Sequence, residues 1–367
     1  MSLNIQILFE SSEVHNKSFQ LACKLGDVAL VDILLQNSCV DPSTNNNEVI
    51  RWASENGHIA VVDRLLQEPK NRVDPSAKNN YAIRWASENG HIAVVDRLLQ
   101  DRRVDPSVDN NFAICWALRN GHIAVVDRLL QDPRVDPSAA DNSAIIVASA
   151  NGHIAIVDRL LQDSRVDPSV DNNLAIRLAS AIGHIAVVDR LLQDRRVDPS
   201  AYDNNAIWWA SQNGHLAVVE RLLQEGRVDP SADNNSAIRW ASQNGHIAVV
   251  DRLLQDRRVD PSAVNNSAIC WASRNGHIAV VERLLQDRRV DPSGYNNLAI
   301  RWASEKGHIA VVDRLLQDRR VDPSVNDNLA IRYASENGHI DVVERLLRHK
   351  QSRHKQSCIS WFLKLFY

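Results

Sequence analysis

The chain has 367 residues, 24% of them charged and 44% hydrophobic, and a formal net charge of −3. That balance is ordinary for a soluble folded protein. It offers no broad electrostatic footprint for nucleic acid or an anionic membrane, and no apolar run approaches the roughly 20 residues that cross a bilayer.

Residues 1 to 15, MSLNIQILFESSEVH, lack a basic start and a sustained apolar stretch, so they do not read as a secretory signal and are expected to form a terminal cap segment. Gly26-Asp27 opens a divergent first copy of a unit whose Gly-His pair then recurs at 57, 90, 121, 152, 183, 214, 245, 276, 307 and 338. The spacing is 31 residues throughout, except 33 between Gly57 and Gly90. A fixed period of this length marks a solenoid in which each copy is one structural unit. The length alone would suggest two or three domains; the unbroken repeat points instead to one array over residues 16–347.

One copy, Asn234 to Ser262, shows the local logic. Asn235, ten residues before the glycine, has its equivalent in all eleven copies and is expected to cap a helix N-terminus with its side-chain oxygen. Residues 237–242 then carry a short helix, with Ile238 and Ala241 on one face. Asn244-Gly245 ends it, since glycine takes a left-handed conformation at little cost. A second helix starts near His246. Its stripe of Ile247, Val250, Leu253 and Leu254 has helical period, with Asp251, Arg252 and Gln255 off that stripe. Pro261 cannot continue a helix, and Asp-Pro-Ser predicts a type I turn into the next copy. Helices of about ten residues are marginal alone in water, so each unit must bury its apolar face against its neighbours.

The segment ASQNGHIAVVDRLLQ holds Ser242, His246 and Asp251, the residue types of a hydrolase triad. A catalytic set is needed once per site, whereas this one, with Asp or Glu as the acid, recurs in nine of the ten Gly-His copies with no nucleophile–base–orienter logic, so a structural role for His246 and its equivalents is expected and a hydrolase is only a remote alternative. One His per repeat is a poor metal cage, and no Cys-x-x-Cys or His-Glu-x-x-His pattern occurs; neither a metal nor a cofactor is expected. The five cysteines, Cys23, Cys39, Cys115, Cys270 and Cys358, are odd in number and irregularly spaced, and read as free thiols of a reducing compartment.

Residues 236 to 247, SAIRWASQNGHI, resemble the ankyrin motif T-P-L-H-x-A-A-x-x-G-H-x, and Val249-Val250 followed by Leu253-Leu254 resembles its V-V-x-L-L-L helix. The likeness covers about residues 16 to 347. Its array style, with Asn-rich turns and Val-Asp-Pro-Ser linkers, is similar to arrays abundant in large DNA viruses and protists. Thr-Pro is replaced here by Ser-Ala, Tyr-Ala, Phe-Ala or Leu-Ala, and the motif's first His is Arg in most copies. The segment between Asp-Pro-Ser and the first helix is about three residues shorter than in the family, which favours turns over paired strands. The resemblance implies an all-α, ankyrin-type helix-turn-helix solenoid of about eleven repeats, with partners bound on its concave face. The function it implies is a non-catalytic, cytoplasmic protein–protein interaction scaffold (host cytoplasm for a viral source), monomeric, with a protein partner and no nucleic acid.

Trp occupies the slot five residues before the glycine at 52, 85, 116, 209, 240, 271 and 302. Packing between successive first helices explains Trp240 and its equivalents better than a ligand-stacking ladder, because Val147 and Leu178 substitute there and a Trp contributes large contact area. Arg51, Arg84, Arg177, Arg239, Arg301 and Arg332 precede that slot and are expected to lie over a neighbouring ring or pair with a turn Asp. Variation between copies concentrates twelve, nine and two residues before the glycine. In the resembled family those slots line the partner-binding surface. Here they hold Tyr81, Phe112, Leu174, Tyr202, Tyr295, Leu298 and Leu329, with Lys78, Glu55, Glu88, Arg119, Arg274 and Glu305, including the aromatic and Arg types of binding hot spots.

After Leu347 the sequence RHKQS occurs twice, followed by CISWFLKLFY. With Arg345, Arg348, Lys350, Arg353 and Lys355 this is the one basic cluster. A cap or tail is expected over residues 348–367; peripheral membrane attachment or partner docking through it is the alternative.

Overall fold

The structure, a computed structural model, describes residues 2–69 and 72–352. Among the described residues every regular element is a helix and none is a strand. The chain divides into two units, Met1–Ala175 with Gln193–Arg196 and Ile176–Leu192 with Val197–Tyr367. Within each unit, helix pairs pack against their sequence neighbours, first helix on first helix more closely than second on second.

The second unit's helices Ala232–Gln243 and Ile247–Leu254 illustrate how the sequence sets the repeat. Gly245 takes φ +80°. The His246 amide donates to the Ala241 carbonyl at 3.0 Å and the Gly245 amide to Ser242 at 3.3 Å. This is the paired closure that a left-handed glycine permits after a helix end. The second helix buries Val249, Val250 and Leu253, while Ile247 and Leu254 stay half-buried. The core stripe is therefore shifted toward Val249, a position off the expected series. Ala237, Ile238, Ala241 and Val259 complete the core, all close to fully buried, and each large member contributes about 1.5–3 kcal/mol of burial. Asp260-Pro261-Ser262 forms the expected turn: the Ala263 amide reaches the Asp260 carbonyl at 3.3 Å, and the Ser262 amide and hydroxyl both donate to Asp260 Oδ1, at 2.9 and 2.6 Å.

The Asn cap is corrected by the structure. Asp233, Asn234 and Asn235 are three successive left-handed residues, φ 46°, 53° and 61°, and the same triplet recurs in every copy from Asn45–Asn47 to Asn326–Asn328. Asn and Asp tolerate this conformation better than other non-glycine residues. Asn235 does precede the right-handed part of its helix. Its Oδ1, however, accepts from the amide of Asp260, in the turn that leads into the next repeat, at 2.7 Å and leaves its own helix's amides alone; Ser231, in the cap position, makes no side-chain cap bond either. The asparagine ties the start of a copy to the turn that closes it. Asn16 keeps the same bond, accepting from the Asp41 amide at 3.1 Å, but from inside one continuous helix, Ser2–Leu25, so the helix runs without a break across the expected boundary at residue 15.

The Gly-His pair works between repeats. His246 Nε2 donates to the Gln212 carbonyl at 2.9 Å, and Asn244 Nδ2 donates to the same oxygen at 2.7 Å. Eight further histidines, from His58 to His339, make the equivalent bond one repeat back. Ion pairs run along the second helices in the same sense, as in Arg221 Nε to Asp189 Oδ1 at 2.6 Å.

Candidate functional site

Positions nine and five residues before each glycine are i and i+4, and therefore share a face of the first helix. In the first unit this brings the variable slots onto the Trp stripe. Tyr81 lies flat on Trp85, centroids 3.9 Å apart and planes 3° from parallel. Trp85 stacks on Phe112 at 5.5 Å, and Phe112 meets Trp116 at 5.5 Å. Guanidinium groups close the stack: Arg51 sits 5.0 Å from the Tyr81 ring, Arg84 4.0 Å from Phe112, and Arg119 4.8 Å from Trp116. Arg84 also pairs with the turn residue Asp109 at 2.7 Å, so both expected roles for this arginine slot occur in one residue. The slot has a further role: Arg51 Nε and Nη2 donate to the Asn46 and Asn45 carbonyls at 3.1 and 3.0 Å, closing the left-handed turn.

The tryptophans at 52, 85, 116, 209, 240, 271 and 302 are half-buried. They pack between first helices as expected, yet keep an open edge. Tyr81 Oη donates to Glu55 Oε2 at 3.1 Å; partial burial, and then this carboxylate, raise the phenol's pKa.

In the second unit Arg177 lies 4.5 Å from the Tyr202 ring and 5.3 Å from Trp209, with Nε donating to Asn205 Oδ1 at 2.9 Å. Trp208, in the arginine slot, approaches Trp240 at 6.4 Å. Trp271 and Trp302 approach to 4.9 Å, with Arg274 over both rings. Tyr202 and Tyr295 are exposed, at 62% and 65%. Lys78 and Arg119 are exposed; Leu174, Leu298, Leu329, Glu88 and Glu305 are half-buried. Glu88 contributes its carbonyl to the His122 and Asn120 tie, and Glu305 pairs with Lys306 at 3.0 Å. The structure thus joins Tyr81, Phe112 and Glu55 in one stack and Tyr295 and Leu298 in the lining of one cleft, with Arg274 over two of the cleft's tryptophan rings. Trp208, Lys24 over Trp52 at 5.3 Å, and the small residues Ser267 and Cys270 were not expected to take part in this face.

Two of the triad residues of 241–255 are engaged elsewhere and the third is buried without a partner. His246 Nε2 is on the Gln212 carbonyl, Asp251 pairs with Arg283, and the fully buried Ser242 Oγ has no hydrogen-bond partner. Among the described residues no cluster of His, Cys, Asp or Glu could hold a metal ion, and no helix is long and apolar enough to cross a membrane.

The described part of the basic C-terminal cluster is paired. Arg345 bonds Asp313 in the register of the other second-helix ion pairs, Arg348 reaches Glu344 at 2.9 Å, and Lys350 Nζ donates to Asn328 Oδ1 at 3.1 Å. Helix runs unbroken over 340–352, across the expected boundary at 347. Lys350 thereby satisfies the same asparagine oxygen that a following Asp amide satisfies elsewhere. Arg353, Lys355 and the aromatic stretch 359–367 lie outside the described residues.

Short helix pairs, a left-handed glycine at each hinge, repeat-to-repeat side-chain ties and one face of varied residues define a helical tandem-repeat solenoid. The family model described as ankyrin repeats (3 copies) matches residues 83–172, 175–265, 240–327 and 269–357. These matches cover well over half of the chain, which belongs to the ankyrin repeat family. A search of curated proteins gave no match. Ankyrin repeats generally mediate protein–protein interaction, and the family is typically a non-enzymatic scaffold.

Proposed function

We propose that this chain is a non-catalytic, intracellular interaction protein that captures a partner protein on the first-helix face. The observation that carries this reading is the convergence of the variable slots with the half-buried Trp stripe. Tyr81, Phe112, Tyr202 and Tyr295 vary between copies whose second helices are nearly identical, and all four lie on or beside stacked aromatic and guanidinium groups. Aromatics and arginine contribute most to interface energy when a partner desolvates them. Their mutual stacking supports the reading further, because a pre-ordered surface loses little entropy on binding.

The test is affinity capture from a cell lysate, with mass spectrometry as readout, comparing the wild-type chain with a variant in which Tyr81, Phe112, Tyr202 and Tyr295 are all Ala. Loss of at least one partner above background is expected. Retention of every partner at wild-type abundance would overturn the reading.

A further inference from the structure

One place on this face departs from the rest. The slots nine and six residues before the glycine hold Tyr81 with Arg84, Phe112 with Cys115, Ser143 with Ile146, Leu174 with Arg177, Asn205 with Trp208, and Ser236 with Arg239. Each of these pairs has at least one large side chain. Only Ser267 with Cys270 has none. The missing volume appears as a cleft of about 260 Å³ whose lining includes Val264, Cys270, Trp271, Tyr295 and Trp302. That is below the roughly 300–1,000 Å³ typical of small-molecule pockets, and suits one large side chain delivered by a polypeptide. Cys270 is 2% exposed and its thiol is pushed up to about 12 by burial, so the floor is an apolar wall with no nucleophile.

The surroundings are cationic. Arg274 stacks 5.0 Å from Trp271 and 5.1 Å from Trp302. Arg301 is close enough to act on the Cys270 thiol. Its Nη1 reaches the Asn296 carbonyl at 3.3 Å, while its buried Nε has no hydrogen-bond partner. The acid on the same face, Glu305, is held by Lys306. A half-buried guanidinium with an unpartnered Nε, near an apolar cavity, favours a ligand that brings a carboxylate.

We propose that this cleft is an anchor site for a partner segment carrying a large apolar side chain with Asp or Glu beside it. The assignment rests on the first-helix face being the partner surface. The chain's own tail, aromatic but flanked by Arg353 and Lys355, has the wrong sign for Arg274 and Arg301.

The experiment is fluorescence anisotropy on the full chain with two labelled ten-residue peptides, a central Trp flanked by Asp and the same Trp flanked by Lys. The filling variant Ser267→Phe/Cys270→Arg copies the aromatic-plus-Arg pair that stands in these slots at Tyr81 and Arg84, with the Phe of Phe112; Ser236→Phe is the control. Binding of the Asp-flanked peptide should weaken at least tenfold in the filling variant, stay within twofold in the control, and exceed that of the Lys-flanked peptide at least tenfold. No measurable binding of the Asp-flanked peptide, equal binding by the filling variant, equal binding of both peptides, or tighter binding of a synthetic 348–367 peptide would each overturn the proposal. Failure here, with lysate capture still dependent on Tyr81, Phe112 and Tyr202, removes the cleft and leaves the broader reading standing; loss of both dependences removes both.

Discussion

His246 and Gly214, in neighbouring repeats, touch so closely that a Cβ on Gly214 would lie 2.5 Å from His246 Nδ1. The glycine thus meets two demands, a φ of +79° and room for the next repeat's imidazole. Gly338 has φ +76° but no described residue within 4 Å of an added Cβ. Gly338→Ala should therefore cost only the left-handed backbone term, about 1–2 kcal/mol. Gly214→Ala should cost about 1–3 kcal/mol more, from crowding the ring. Urea unfolding midpoints of the two variants check this, and equal shifts would show that the ring contact carries no weight.

The serine before each hinge predicts a stabilising change. Ser242 and Ser304 are fully buried, and their hydroxyls find no hydrogen-bond partner. Removing an unsatisfied buried hydroxyl relieves a desolvation cost. Ser242→Ala and Ser304→Ala should each raise stability by about 1 kcal/mol, read as higher unfolding midpoints; a drop for both would mean that the oxygens are bonded in solution.

The left-handed triplet separates two contributions at Asn235. Asn235→Gly keeps the conformation and loses the bond to the Asp260 amide, costing about 0.5–1.5 kcal/mol. Asn235→Ala loses the bond and also strains the backbone, for about 2–3 kcal/mol in total. Circular dichroism during denaturant titration ranks the two, and an Ala variant as stable as the Gly variant would contradict the left-handed assignment.

Acid should weaken the array through its turn aspartates. The Arg258 guanidinium grips Asp256 through Nε at 3.0 Å and Nη2 at 2.7 Å; that hydrogen bonding is the main reason why the carboxyl lies below the usual aspartate range. Asp101, Asp132, Asp163, Asp287 and Asp318 are lowered in the same way. A carboxylate whose folded pKa lies below its unfolded value contributes stability in full above the unfolded value, and loses it as pH falls through the folded one. Thermal midpoints should hold at neutral pH and fall increasingly below about pH 4, with Arg258→Gln and Arg289→Gln together flattening that fall.

Thiol reactivity should follow burial. Cys39 is exposed, whereas burial pushes the Cys23 and Cys270 thiols up to about 12. Iodoacetamide at pH 8 should modify Cys39 in the folded protein and reach Cys23 and Cys270 only after unfolding, as peptide mass mapping would show. Labelling of Cys270 at the rate of Cys39 would mean that the cleft floor opens in solution.

The repeating elements were legible in the sequence because their causes are local. The left-handed glycine at 245, the proline at 261 and the apolar spacing of the second helix act within a few residues, so the helix pairs, their hinges and the Asp-Pro-Ser turn could be read from one copy. The burial stripe was nearly right and missed Val249, since a helix's inward face depends on what packs against it. The variable slots could be listed from repeat-to-repeat differences, but not grouped.

The contacts between residues far apart in sequence follow only from packing. That Asn235 stands at a helix start could be read from the residues; packing set its oxygen on the turn that closes the copy, because the left-handed triplet aims the side chain away from its own helix and toward the Asp260 amide. A stripe of tryptophans could be read the same way; packing decided which rings stack, because a contact between Tyr81, Trp85 and Phe112 depends on the distance between first helices. The cleft at Ser267 and Cys270 belongs to the same class. Two small residues are an absence in a string of letters, and become a cavity only when the neighbouring helix brings Tyr295 and Trp302 to wall it.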